Sequence, residues 1–255
     1  MSSRRRLLFF AMAVLLTAAM VLVGVRLLAG GGTRTVPDQA RPGTVLLVPG
    51  YGGSQTALSV LADALRAAGR DATVVDLPGD GTGDLLAQAE TLQSAARSAV
   101  EAGAPSVDVV GYSAGGVVAR LWVDRHADTL SARRVVTLGS PLHGTRIAGI
   151  GAALAPDACP PACRQLVPGS ELLTRLDGED LPDGLPWLSI WTENDETVQP
   201  PDSARLDGAV NVALQGVCPG VQVSHGALPT DPHVTALVLA ALGTGPLAAP
   251  TGCPS

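Results

Sequence analysis

Val107-Asp108-Val109-Val110-Gly111-Tyr112-Ser113-Ala114-Gly115-Gly116-Val117-Val118 decides how the rest of this chain is read. Val107 to Val110 has strand character, Gly111 to Gly115 spells Gly-x-Ser-x-Gly, and Ala114 to Asp124 carries a helical pattern. In that context of strand, sharp turn and helix the pentapeptide holds its serine as a nucleophile; elsewhere the same letters give only a glycine-rich turn. The turn forces the serine into a strained conformation, and glycines two positions to either side admit neighbouring backbone without Cβ clashes. The helix that follows aims free N–H groups at the place where negative charge develops. Ser113 is therefore the expected nucleophile.

Working outward, strands alternate with helices. Thr44 to Val48 is a continuous apolar run ending at Pro49-Gly50, as expected of a strand buried on both faces. Ala57 to Ala68 predicts a helix with Leu58, Leu61 and Leu65 on one side and Gly69 as its stop. Ala72 to Leu77 predicts a strand, Leu85 to Ala102 a long amphipathic helix, and Arg134 to Leu138 another strand. Trp187 to Trp191 and Ala209 to Leu214 are further strands, and Val234 to Leu242 is a closing helix. This rhythm predicts an α/β fold: a mostly parallel sheet with helices on both faces. Gly144 to Leu185 breaks it, with about forty Gly- and Pro-rich residues between two strands, and is expected to be a cap or binding loop.

A serine needs a histidine to take its proton and an acid to orient that histidine, in the chain order Ser, acid, His. Of four histidines, His126 is expected to be exposed at the outer end of the elbow helix, and His143 precedes every plausible acid. His233 follows Asp231-Pro232 and belongs to the first turn of the last helix. His225, on a loop between the last strand and that helix, is the expected base. The acid should follow Trp187 to Trp191; Asp195 is the choice, with Glu193 and Glu196 as alternatives. Of two oxyanion donors, one is the Ala114 N–H, and the other belongs to the loop Pro49-Gly50-Tyr51-Gly52-Gly53. That loop lacks the Gly-Lys-Ser/Thr ending of a phosphate cradle.

These motifs together resemble the α/β-hydrolase superfamily, and within it the small exported lipases and esterases of actinobacterial type. The likeness rests on Leu-Val-Pro-Gly-Tyr-Gly-Gly at 47–53, Val-Val-Gly-Tyr-Ser-Ala-Gly-Gly-Val-Val-Ala-Arg at 109–120 and Thr-Leu-Gly-Ser-Pro-Leu-His-Gly-Thr at 137–145. Asp195 with Val198 and Pro200, and Val-Ser-His-Gly-Ala-Leu-Pro-Thr-Asp-Pro at 223–232, continue it over nearly all of 43–243. The resemblance implies hydrolysis of carboxylic esters through an acyl-enzyme. Ser113 would attack, His225 would shuttle the proton, Asp195 would fix His225, and the Tyr51 and Ala114 amides would hold the oxyanion. No cofactor and no metal is implied. Pro49 stands where the family loop usually has histidine, a departure that bears on loop rigidity and substrate preference. An acyltransferase, thioesterase or peptidase would share the triad, whereas a non-catalytic binding relative should have lost it. The apolar segment Ile147 to Leu154 either lines an acyl site or begins a packed helix.

The start of the chain bears on the compartment. Arg4-Arg5-Arg6 precede Leu7 to Val25, nineteen residues without a charge, which as a helix would span about 28 Å. This reads as a signal-anchor or a signal peptide over 1–30, followed by a Gly/Pro tether over 31–43 and a catalytic domain over 44–255. Either reading exports the domain, anchored in a membrane or secreted. Cys159, Cys163, Cys218 and Cys253 agree, since an even count in an exported chain suggests two disulfides among three connectivities. Local closure of Cys159–Cys163 leaves Cys218–Cys253 to pin the C-terminal tail. A zinc site is the competing reading, but no Cys-x-x-Cys pair or sequence-adjacent histidine supports it.

Composition removes other classes. The 255 residues are 46% hydrophobic and 16% charged, enough apolar material for a packed core. All 17 basic residues are arginine. The net charge of −6 becomes −10 once the four arginines of residues 1–30 are set aside, which argues against a nucleic-acid partner. Aromatics at 3% argue against sugar recognition by stacked rings. A small-molecule or lipid ester remains as the expected partner.

Overall fold

The computed structural model of the protein describes Met20 and residues 36–127 and 131–254. Apart from Met20, the expected export segment over 1–30 lies outside the described residues. Among those described, no helix is long and apolar enough to cross a membrane.

Six strands form one parallel sheet: β1 (Thr44–Val48), β2 (Ala72–Val74), β3 (Val107–Tyr112), β4 (Ala132–Leu138), β5 (Trp187–Trp191) and β6 (Val210–Ala213). Their order across the sheet is β2-β1-β3-β4-β5-β6. The helices are α1 (Thr56–Ala67), α2 (Leu85–Glu101), α3 (Ala114–Arg125), α4 (Arg146–Leu154), α5 (Pro161–Gln165), α6 (Glu171–Asp177), α7 (Leu214–Val217) and α8 (Pro232–Ala241).

Alternation along β1 assembles the two layers, because successive side chains leave a strand on opposite faces. Val45 and Leu47 pack with Leu58, Leu61 and Leu65 of α1 and Val234 and Val238 of α8. Leu46 and Val48 pack on the other side with Leu85 and Leu92 of α2 and Val118 and Trp122 of α3. After β1 the chain crosses to one neighbour, β2, and then returns to the other, β3. The crevice at the carboxyl ends of β1 and β3 is therefore a topological switch point, where open α/β sheets bind ligands.

Several boundaries differ from the sequence reading. β2 stops at Val74 rather than Leu77, since this edge strand pairs only with Val45 to Leu47 of β1. The closing helix begins at Pro232, two residues early, because the Asp231 carboxylate accepts from the N–H groups of His233 and Val234 and Pro232 suits a first turn. The expected loop from Gly144 to Leu185 contains three short helices, α4 to α6. Part of the tether is seated on the body: the Gln39 side chain donates to the Arg133 carbonyl, and Arg133 donates to the Gln39 carbonyl, both at 3.0 Å.

At the amino ends of the strands lies a charge cluster that no local pattern announced. Asp108 and Arg133 are both fully buried. Asp108 Oδ2 accepts from Arg70 and from Arg133, each at 2.6 Å. The guanidinium groups continue to the end of α8, where Arg70 and Arg133 donate to the Leu242 carbonyl at 2.8 and 2.7 Å. Arg134 reaches the Ala241 carbonyl at 2.6 Å. Three cations thus meet the carbonyl-rich, partly negative end of a helix.

Both expected disulfides are present, Cys159–Cys163 with Cα atoms 5.3 Å apart and Cys218–Cys253 at 4.6 Å, and no described cysteine is free. Such bridges persist in an oxidising compartment. The second spans 35 positions and encloses His225 and α8. The chain-entropy relation gives about 3–4 kcal/mol for a loop of that length. Reduction should therefore quicken amide exchange over 218–253 before the sheet opens. Hydrogen-exchange mass spectrometry across a dithiothreitol series tests this; uniform loss of protection would refute it.

Candidate active site

Ser113 occupies the tight turn between β3 and α3 at the switch point. Its φ is +53°, the one positive value for a non-glycine among the described residues. Such a conformation persists only where the surroundings enforce it, and here the packing around the turn does so. A Cβ on Gly115 would lie 2.2 Å from the Val48 carbonyl oxygen, and one on Gly111 2.6 Å from that of Gly115. Both glycines of Gly-x-Ser-x-Gly are thus required by close backbone approach.

Side chains from two other loops converge on this turn. His225 Nε2 stands 3.0 Å from Ser113 Oγ, and His225 Nδ1 stands 2.7 Å from Asp195 Oδ2. Asp195, on the loop after β5, is buried and turns its other oxygen to the N–H groups of Thr197 and Val198 at 2.9 and 2.7 Å. Those two donors fix the carboxylate, and it in turn favours the imidazole tautomer with the proton on Nδ1. Nε2 is then free to accept from Ser113. The fourth wall is Gly139, after β4, where a Cβ would meet Leu228 at 2.6 Å and both Asp195 Oδ2 and His225 Nδ1 at 3.2 Å.

The loop after β1 closes the crevice. A Cβ on Gly50 would lie 2.9 Å from the Ser113 Cβ, so this backbone runs directly beside the serine. Gly52 and Gly53 both take positive φ, and the Gly52 N–H donates to the Gly81 carbonyl at 3.4 Å. Tyr51 and Ala114, the two expected amide donors, flank this narrow gap: Tyr51 follows Gly50, and Ala114 opens α3.

Comparison with known proteins joins this geometry to a family. A family profile described as "Alpha/beta hydrolase family" matches residues 45–250. The chain belongs to that family. Among solved structures, Aspergillus fumigatus lipase B is similar with a TM-score of 0.66 and 23% identity, over 79% of this chain and 52% of that one. The mature form of Bacillus licheniformis lipase BlEst2 gives a TM-score of 0.64 and 20% identity, over 81% and 94%. The chain thus spans about half of the Aspergillus lipase chain, and at these identities the likeness is one of fold. A sequence search of curated proteins gives no match.

The other three histidines are occupied elsewhere. His143 bonds Asp177 Oδ1 at 2.7 Å and the Arg205 carbonyl at 2.9 Å, tying the end of α6 to the segment before β6. His126, expected to be exposed, is partly buried with Nε2 3.4 Å from Glu90 Oε2. His233 Nδ1 meets the Pro254 carbonyl at 2.7 Å and lies 3.4 Å from Cys253 Sγ. Cys218, Cys253 and His233 therefore do cluster, although no spacing in the sequence announced it. Their two sulfurs are joined to each other, which leaves no thiolate for a metal.

Two contacts of the site escaped sequence reasoning. Glu196, an alternative acid, instead accepts from the backbone N–H of His225 at 3.1 Å. The Tyr112 hydroxyl donates to the His225 carbonyl at 3.2 Å, with ring centroids 5.2 Å apart. Burial, helped by the nearby Asp195 and Glu196 charges, pushes the Tyr112 phenol up to about 12, so the hydroxyl stays a donor. Finally, α4 buries only Ala148 and leaves Ile147, Ile150 and Leu154 at 49%, 57% and 81% exposure.

Proposed function

We propose that the hydrolase cleaves carboxylic esters, of acylglycerols or simpler acyl groups, through an acyl-enzyme on Ser113. The observation that carries this reading is the hydrogen-bonded chain Ser113–His225–Asp195 at a strained turn that opens a helix. His225 Nε2 takes the hydroxyl proton as Ser113 Oγ bonds to the ester carbonyl carbon, and the buried Asp195 balances the imidazolium. Carbonyl electrons move onto oxygen, held by the Tyr51 and Ala114 amides. Collapse expels the alcohol, which receives the proton from His225. Water then repeats the sequence, releasing the acid and restoring Ser113.

Acyl character is favoured by the exposed Ile147, Ile150 and Leu154 of α4, together with Tyr51 at 46% exposure beside the serine. Exposed apolar side chains of this kind suit a fatty chain better than a polar acid. Export by the N-terminal segment, with or without cleavage, is part of the same reading, and the disulfides support it.

A panel of p-nitrophenyl esters of rising chain length tests the proposal, with a fluorophosphonate probe and peptide mapping. Turnover of esters and a label on Ser113 are expected. Faster cleavage of matched thioesters or amides would transfer the assignment to a thioesterase or peptidase. Acyl transfer to added alcohol outrunning release of free acid would make the protein an acyltransferase. No turnover and no label on folded protein would leave a binding relative.

A further inference from the structure

His225 carries two demands at once, and its placement is not met by the fold alone. Its ring must reach Asp195 with one nitrogen and Ser113 with the other, and a histidine has only two side-chain torsions with which to do so. The position of its backbone therefore decides whether both distances hold. Yet His225 sits on no strand; it opens a 3₁₀ turn, His225–Thr230, and is followed by Gly226, whose Cβ position would face open space. A displacement of 1 Å in such a group lowers rate about a hundredfold.

We propose that Tyr112 and Glu196 are positioning residues that clamp the His225 peptide from both sides, an inference resting on the reading of His225 as the base. The Glu196 carboxylate accepts the His225 N–H at 3.1 Å, and the Tyr112 hydroxyl donates to the His225 carbonyl at 3.2 Å. Each clamp residue is the sequence neighbour of another member of the chain. Tyr112 immediately precedes Ser113, and Glu196 immediately follows Asp195. The backbone of the base is thus indexed directly to the nucleophile and to the acid, rather than through the intervening core. Both hydrogen bonds go to the His225 backbone, and neither goes to its ring nitrogens or to Ser113 Oγ.

The test uses the full disulfide-bonded protein and a soluble short-chain p-nitrophenyl ester, with Tyr112→Phe, Glu196→Ala, Glu196→Gln and Ser113→Ala. Phenylalanine keeps the ring against the imidazole and removes only the hydroxyl. Glutamine keeps an oxygen that can accept the His225 N–H, whereas alanine does not. Tyr112→Phe and Glu196→Ala are expected to lower kcat about tenfold with KM within about twofold, and Glu196→Gln to recover most of the loss. Glu196 is exposed, so its variants report even if Tyr112→Phe folds poorly. Unchanged kcat in Glu196→Ala, or equal losses in Glu196→Ala and Glu196→Gln, would overturn the clamp. Retained hydrolysis in Ser113→Ala would instead overturn the reading of the site itself.

Discussion

Ser113→Ala is expected to lower kcat for ester hydrolysis by roughly 10⁴–10⁶-fold while leaving the fold intact. The variant loses the one oxygen that His225 Nε2 faces at 3.0 Å, and the retained oxyanion donors supply only the residual rate. Alanine also relieves no packing, because the backbone around Ser113 is held by the Gly111 and Gly115 contacts and not by the hydroxyl. His225→Ala should cost a similar factor. Members of one proton-transfer chain act as a unit, so the double variant should lose little more than either single one. Multiplying losses in a steady-state comparison would mean that the two residues work separately.

Asp108→Asn is expected to lower stability by about 3–5 kcal/mol with little effect on the crevice at the opposite ends of the strands. The substitution leaves the guanidinium of Arg133, fully buried, without its counter-charge and removes the partner of Arg70 as well. Carbonyls at the end of α8 still accept from both arginines, but they do not balance a buried positive charge. Removing one partner of such a pair is far more damaging than never having had it. Denaturant unfolding monitored by tryptophan fluorescence measures the difference; a loss under 1 kcal/mol would show that Arg133 is solvated in the folded protein.

The fold and the geometry of the crevice were legible to different depths. Strand, turn and helix around Ser113 fall within twenty consecutive residues, so periodicity and glycine placement disclose them together. His225 and Asp195 could be singled out by chain order and by their loops, and the fold brings both to Ser113. Asp231-Pro232 marks the last helix's start and puts His233 in its first turn, although the apolar period begins only at Val234. The three helices between β4 and β5 are five to nine residues long, too short for a period to declare itself. Their signals were instead Pro161 in a first turn and Ser170 as a cap accepting from Leu173 N–H. Contacts such as Tyr112 to His225, 113 positions apart, leave no local trace at all. The same is true of Asp108, which reads in sequence as one charge interrupting a valine strand.

The stretch between β4 and β5 is stitched to the rest of the molecule by many polar contacts: Gln165 Oε1 accepts from the Leu85 N–H, Arg175 reaches Asp124, and the Ala162 N–H donates to the Thr82 carbonyl. His143 reaches into it at Asp177, and Arg120 of α3 donates to the carbonyls of Leu176 and Glu179. Ser113, His225 and Asp195 all lie outside it, as do the Tyr51 and Ala114 amides. The fold thus keeps these groups out of the stretch yet joins it to one of their loops: Thr145 Oγ1 donates to the Thr197 carbonyl at 2.8 Å and accepts from the Gln199 N–H at 3.0 Å, just past Asp195. Any replacement of 145–185 would have to restore these contacts, with carbonyls for Arg120 and an acceptor for His143, or else shift the loop on which the acid stands.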